Sequence, residues 1–108
     1  MPTDSPLEAL VEADRVAIIG ASERNHYAAT IFRNLQKLGF DTSQIVPVNP
    51  NRAEVFGLKA YPSLLDVPGK IPLAVVATNA KSVLSVVRQL GEKGVRGAIV
   101  LADGFREA

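Results

Sequence analysis

Apolar positions along the chain fall into two kinds of run. Val16-Ala17-Ile18-Ile19 is an unbroken apolar stretch closed by Gly20, and residues 71–77 and 97–101 repeat the type. Short continuous runs rich in β-branched residues predict strands buried on both faces, as in a parallel sheet. Gln44-Ile45-Val46-Pro47-Val48 is a further short strand. Pro47 has no N–H to give a ladder, which predicts a strand end or a locally unpaired position. Between these runs the period changes. Residues 21–25 read as a loop. Ala28, Ile31, Phe32, Leu35 and Leu38 then recur at helical spacing, with Gly39 as the stop. Val83, Leu84, Val86, Val87 and Leu90 mark a second helix ending near 91–94. Leu58-Lys59-Ala60-Tyr61 predicts a short extended edge piece, and 63–66 a turn of helix. At the start of the chain, Ser5 as a cap, Pro6 at the first helical position and Glu8 in capping-box position predict a short helix with Leu7, Leu10 and Val11 on one side.

The order β-α-β-(short β)-β-α-β predicts an α/β fold: a doubly wound, mainly parallel sheet, Rossmann-like, in three layers α/β/α. Right-handed crossovers gather the carboxyl ends of the strands on one edge of that sheet. Four segments meet there: Gly20-Ala21-Ser22, Val48-Asn49-Pro50, Ala77-Thr78-Asn79 and Ala102-Asp103-Gly104. Ligands of open α/β sheets bind at this edge, so function is sought in these loops.

Composition narrows the chemistry. The 108 residues are 47% hydrophobic and 21% charged, which predicts one folded domain over 1–108 rather than a disordered chain. Twelve Lys+Arg against 11 Asp+Glu leave a net charge of +1, no basis for a broad nucleic-acid or anionic-membrane surface. Cysteine is absent and His26 is the one histidine, so a disulfide framework, a thiolate nucleophile and a Cys- or His-built metal site are not expected. No apolar run approaches the roughly 18 residues of a membrane span, and the acidic, polar Met1-Pro2-Thr3-Asp4 has no signal-type core behind it. The expectation is a soluble, cytoplasmic protein.

The first loop carries the strongest signal. Gly20 allows a sharp turn out of the strand, and the next helix aims its N–H groups and positive dipole end into the crevice, a cradle for a phosphate or diphosphate. Ser22 either adds a hydroxyl donor or caps the helix, and the two roles are compatible. A nicotinamide site would show G-x-G-x-x-G, but Gly20-Ala21-Ser22-Glu23-Arg24-Asn25 keeps only the first glycine. It would also have an acid after the second strand for the ribose diol, where Asn49-Pro50 stands. In Asn49-Pro50-Asn51-Arg52, Pro50 stiffens the chain and Arg52 brings a planar cation to the crevice mouth. An Arg there suits a ribose-bound phosphate, or is a solvated loop charge.

Taken together, Val16-Ala17-Ile18-Ile19-Gly20-Ala21-Ser22, Val46-Pro47-Val48-Asn49-Pro50, Gly57-Leu58-Lys59-Ala60-Tyr61-Pro62-Ser63-Leu64, Leu73-Ala74-Val75-Val76-Ala77 and Ala102-Asp103-Gly104-Phe105 resemble the CoA-binding domain. This is the N-terminal Rossmann-like module of NDP-forming acyl-CoA synthetases and of the succinyl-CoA synthetase α subunit. The resemblance spans roughly residues 14 to 107. It implies that Gly20, Ala21, Ser22 and Glu23 line the phosphates of coenzyme A and that Arg52 contacts the nucleotide end; Asn49 and Pro50, beside it on the same loop, are counted among the coenzyme A-binding residues. It further implies that Thr78 and Asn79 flank the pantetheine path, and that Ala102, Asp103 and Gly104 form the last contact loop; because a carboxylate repels a phosphate, Asp103 is expected toward the thiol end. Arg24-Asn25-His26-Tyr27 departs from the family's small or Pro-containing stretch.

The resemblance also implies what the chain lacks. In such synthetases a phosphohistidine on a separate domain and an ATP-grasp module carry the chemistry, and neither fits in 108 residues. His26 stands at a helix start instead, Ser22 has no base partner, and Asp41, Glu54 and Asp66 do not converge. The reading is therefore a binding module with no catalytic residue or metal of its own, a fragment or part of a longer acyl-CoA ligase or acetyltransferase fusion. The remaining domains or subunit are its partners, and homo-oligomers are an option because the last strand reads as an uncovered edge. The alternative is a NAD-binding redox or sensor domain. A phospho-receiver, which needs an acid cluster at the first strand's end, fits less well.

Overall fold

The computed structural model describes residues 14–78 and 80–100. The apolar runs form four parallel strands: β1 (Val16–Ile19), β2 (Ile45–Val48), β5 (Leu73–Val76) and β6 (Gly97–Val100). Two helices connect them, α1 (His26–Lys37) and α2 (Ala80–Lys93), and a small hairpin of β3 (Glu54–Val55) and β4 (Leu58–Lys59) stands apart. The sheet order is β2-β1-β5-β6. From β1 the chain steps outward to β2, then crosses back to lay β5 on the other flank of β1. The order therefore reverses between β1 and β5, and that reversal opens a crevice at their carboxyl ends.

Alternation along β1 and β5 feeds two cores. Val16, Ile18, Leu73 and Val75 face one side with Ala28 and Leu35 of α1 and Val55 and Ala60 of the hairpin region. Ala17, Ile19, Ala74 and Val76 face the other, with Val86 of α2 and Leu64, Val67 and Ile71. Every residue of β1 and β5 is buried, as the unbroken runs predicted. Each Val, Leu and Ile among them contributes on the order of 1.5–3 kcal/mol, so the two middle strands anchor the edge that carries the loops. β6 is an outer strand, with Ala98, Ile99 and Val100 exposed.

Local signals account for the ends. α1 closes in a Schellman motif: Gly39 N–H donates to Gln36 O, Phe40 N–H donates to Leu35 O, and Gly39 sits at φ +103°, the conformation that glycine adopts without penalty. Pro47 lies inside β2 because β2 is the edge strand; its carbonyl accepts the Tyr61 N–H at 3.1 Å while its nitrogen owes nothing to a ladder. The expected edge piece at 58–61 is longer in kind than the sequence indicated. Phe56 and Gly57, both at positive φ (57° and 75°), make a tight two-residue hairpin turn, and Tyr61 bridges to Val48 beyond it. Phenylalanine is rarely placed there; stacking of its ring on Phe32 at 4.5 Å offsets the strain. The helix expected from Ser5, and positions Asn79, Leu101, Ala102, Asp103 and Gly104, lie outside the described residues.

Candidate functional site

At the end of β1 the chain passes hard against the end of β5. Gly20 has φ +87°, and a Cβ there would lie 2.4 Å from the Ala77 carbonyl oxygen. Glycine is thus required twice, for the turn and for the close approach. The N–H groups of Gly20 and Ala21 both reach the Val48 carbonyl, at 2.9 and 3.3 Å, which ties this turn to the end of β2.

Asn25, not Ser22, caps α1. Its Oδ1 accepts the Ala28 N–H at 3.2 Å, while Nδ2 donates to Gly20 O at 3.2 Å and Ala77 O at 2.6 Å. One side chain thereby holds the helix start and two strand ends together. Ser22 instead forms a local turn: its Oγ accepts the Arg24 N–H at 3.1 Å, and its carbonyl accepts Asn25 N–H at 3.1 Å. The cradle of open N–H groups expected from the sequence is consequently narrower. Gly20, Ala21, Arg24 and Asn25 all turn their donors inward, because the loop needs them to hold its own path.

The second loop is equally occupied. Asn49 donates from Nδ2 to Ala21 O at 2.8 Å and accepts the Asn51 N–H at 2.7 Å, an Asx turn that also staples β2 to the first loop. Glu23 reaches across to the hairpin, where its carboxylate accepts the Phe56 N–H at 2.7 Å, and Arg52 stands 3.6 Å from its other oxygen. The Phe56 hydrogen bond foremost, then Glu23's own N–H and the Arg52 charge, hold this carboxyl below its ordinary value.

The open volume lies on the α2 side. A hollow of about 360 Å³ is bounded by Ile19, Gly20 and Val48 at the strand ends, by Pro50 and Pro62, by Thr78, and by Lys81, Ser82, Ser85, Val86 and Gln89 of α2. Its size is within the roughly 300–1,000 Å³ of small-molecule sites, and apolar walls with a few polar groups are the usual lining. Gln89 Oε1 is committed, accepting from Ser63 Oγ at 3.1 Å and from Leu64 N–H at 3.2 Å. Among the described residues no helix is long and apolar enough to cross a membrane, and no three His, Cys, Asp or Glu side chains group to hold a metal ion.

Of the residues expected from the sequence, Gly20, Pro50 and Thr78 come together in this lining. Ala21 is buried beneath the turn, Asn49 braces it, Ser22 lies outside the lining, and Glu23 and Arg52 sit toward the hairpin. His26 is exposed in the first turn of α1, with its ring centroid 6.3 Å from that of Tyr27. Sequence reasoning passed over Asn25, Pro62 and the α2 wall. The signal for that wall was present: Ser82, Ser85 and Gln89 recur at i, i+3, i+7 beside the apolar stripe of α2, immediately after a strand's carboxyl end.

Comparison with known proteins follows the same lines. The family described as the CoA binding domain matches residues 14–108. The chain is 41% identical over 93 residues to an ADP-forming acetate–CoA ligase (II) of Archaeoglobus fulgidus, covering 85% of this chain and 14% of that protein. It is 40% identical over 106 residues to the ADP-forming 4-hydroxybutyrate–CoA ligase of Nitrosopumilus maritimus, covering 97% and 14%. Among solved structures, a dinucleotide-forming acetyl-coenzyme A synthetase 1 of Ca. Korarchaeum cryptofilum, in complex with phosphate and ADP, superposes with a TM-score of 0.80 at 37% identity, covering 97% of this chain and 22% of that one. The chain thus spans about 14% of the length of these curated relatives.

Proposed function

The chain belongs to the CoA-binding domain family, and on that premise we propose that it presents coenzyme A, through the hollow at the β1–β5 reversal, to acyl-transfer chemistry performed by other domains or a partner subunit. The observation that carries this is the hollow itself: about 360 Å³ between the Gly20 turn and the first turns of α2. In this reading the Gly20-Ala21-Ser22 turn borders the diphosphate at Gly20, which lines the hollow, with Ser22 at the rim. The Ser22 hydroxyl keeps its own hydrogen for an anion while accepting from Arg24. Val48, Pro50, Pro62 and Val86 give the apolar surface against which the nucleotide or the pantetheine arm lies, and Thr78 offers a hydroxyl beside it. Glu23 and Arg52 close the rim toward the hairpin, and Asn79, Ala102, Asp103 and Gly104 complete the contacts beyond the described residues.

Coenzyme A enters here as a substrate, not as a resident cofactor. The chain's contribution is to fix its orientation, and a thiol held in place by a rigid crevice reacts with less entropic cost than a free one. The reaction class this supports is ADP-forming acid–thiol ligation in the manner of the relatives' names, with phosphohistidine and ATP-grasp modules as partners; an acetyltransferase fusion is the other parent architecture. The redox-dinucleotide alternative is not favoured. Asn49 stands where a ribose-binding acid belongs, and both ends of its amide are engaged in bracing the first loop.

Calorimetric titration of the chain with coenzyme A and with NADH, side by side, tests the reading. Saturable heat with coenzyme A and none with NADH is expected. Binding of NADH with coenzyme A silent would remove it.

A further inference from the structure

The two cations at the carboxyl edge are not equivalent. Arg52, which the sequence singled out, stands 3.6 Å from the Glu23 carboxylate, and Glu23 is itself anchored to the Phe56 N–H of the hairpin. That hairpin belongs to the α1 face of the sheet. The guanidinium therefore shares its charge with a carboxylate whose pKa is held below its ordinary value, first by the Phe56 N–H. Arg52 does not line the hollow. Lys81 does. It lies in the first turns of α2, its side chain is exposed, and among the described residues it makes no ion pair and no hydrogen bond. Among the described residues no carboxylate lines the hollow beside it, so no described counter-charge competes for its ammonium. Ser82 and Ser85 stand on the same wall, one and four residues on.

We propose that Lys81 is the residue that reads a phosphate of coenzyme A in this hollow, with Arg52 secondary to it. The inference rests on the coenzyme A reading and adds to it the specificity-determining cation. An ammonium suits the task as a mobile point charge on a flexible stem, able to follow either the 3′-phosphomonoester or the diphosphate bridge. Both are phosphate chemistry, and ligands lacking the first distinguish them.

The test measures affinity for coenzyme A and for dephospho-coenzyme A with the wild-type chain, Lys81→Gln, Lys81→Arg, Arg52→Gln and, as a remote control, Lys37→Gln at the end of α1. A charge-assisted contact predicts that Lys81→Gln weakens coenzyme A binding by about tenfold or more. Lys81→Arg should retain most of the affinity, Arg52→Gln should lose less than Lys81→Gln, and Lys37→Gln should match wild type. A loss confined to coenzyme A assigns Lys81 to the 3′-phosphate; an equal loss with both ligands assigns it to the diphosphate. Thermal melting of Lys81→Gln at the wild-type temperature shows that the fold is intact. Should wild type bind coenzyme A while Lys81→Gln binds it equally well, or should Arg52→Gln be the larger loss, the proposal is overturned and the coenzyme A reading stands. A wild-type chain that binds neither ligand overturns both.

Discussion

The two walls of the crevice differ in how far their polar side chains are committed. On the β1 side, Asn25, Asn49 and Glu23 turn their polar atoms onto backbone groups of neighbouring segments: Gly20, Ala21, Ala28, Asn51, Phe56 and Ala77. On the α2 side, Lys81 and Ser85 face the hollow with no such engagement recorded among the described residues. The first wall commits these side chains to holding a shape; the second commits Gln89 to Ser63 and Leu64 and leaves Lys81 and Ser85 to meet a ligand. A buried backbone carbonyl that loses its donor costs far more than an exposed ammonium that loses its charge. Substitutions on the two walls should therefore separate stability from binding.

The sharpest way to break the contrast is Gly20→Ala. Positive φ and a 2.4 Å approach to a backbone oxygen leave the methyl group nowhere to go, and a loss of about 3 kcal/mol or more in urea unfolding is expected. A near-neutral result would mean that the β1–β5 approach is looser than described. Next comes Asn25→Ala, which removes the α1 cap and the donor to two carbonyls, for a loss of roughly 2 kcal/mol. Asn25→Asp sharpens this: it keeps the cap acceptor yet sets a carboxylate against Gly20 O and Ala77 O, so it should stabilise no better than alanine. If Asn25→Asp melted with wild type, the donor half of that side chain would carry no weight.

Glu23→Gln is smaller and pH-dependent. Because the folded carboxyl titrates below its ordinary 4.5, its contribution is fully present above that value and fades as pH falls through the lower folded value. The melting difference between wild type and Glu23→Gln should thus be constant near neutrality and close below about pH 4.5. A gap that widens on acidification would reverse the assigned sign. Smallest of all, Lys81→Gln and Ser85→Ala should unfold within about 0.5 kcal/mol of wild type. Substantial destabilisation by either would make the α2 wall structural after all.

What could be read from the sequence divides along the same line. The strands were legible because β1 and β5 are buried on both faces, so their apolar runs are unbroken; α1 and its Gly39 stop were legible from period and punctuation. The hairpin was not, since Phe56 at its turn breaks the usual Asn-Gly rule and is held there by long-range contacts, stacking on Phe32 and an N–H bond to Glu23. Gly20 announced a turn, but its second reason, the Ala77 oxygen, belongs to a residue 57 positions away. Ser22 and Asn25 are both good caps, and the choice between them depends on where Ala77 O lies, which local sequence does not encode. Arg52 drew notice as a loop cation, while Lys81 looked like any polar position on an amphipathic helix. Only the packing shows that Glu23 holds the first and that the second borders the hollow.

The central claim is that coenzyme A occupies the hollow between the Gly20 turn and α2. Amide chemical-shift mapping of the isotope-labelled chain during a coenzyme A titration tests it most directly. The account predicts saturable shifts clustered at Gly20, Thr78, Lys81, Ser82 and Ser85, with the later turns of α1 unmoved. Shifts confined to α1 and the β3–β4 hairpin, with the first turns of α2 silent, would contradict it.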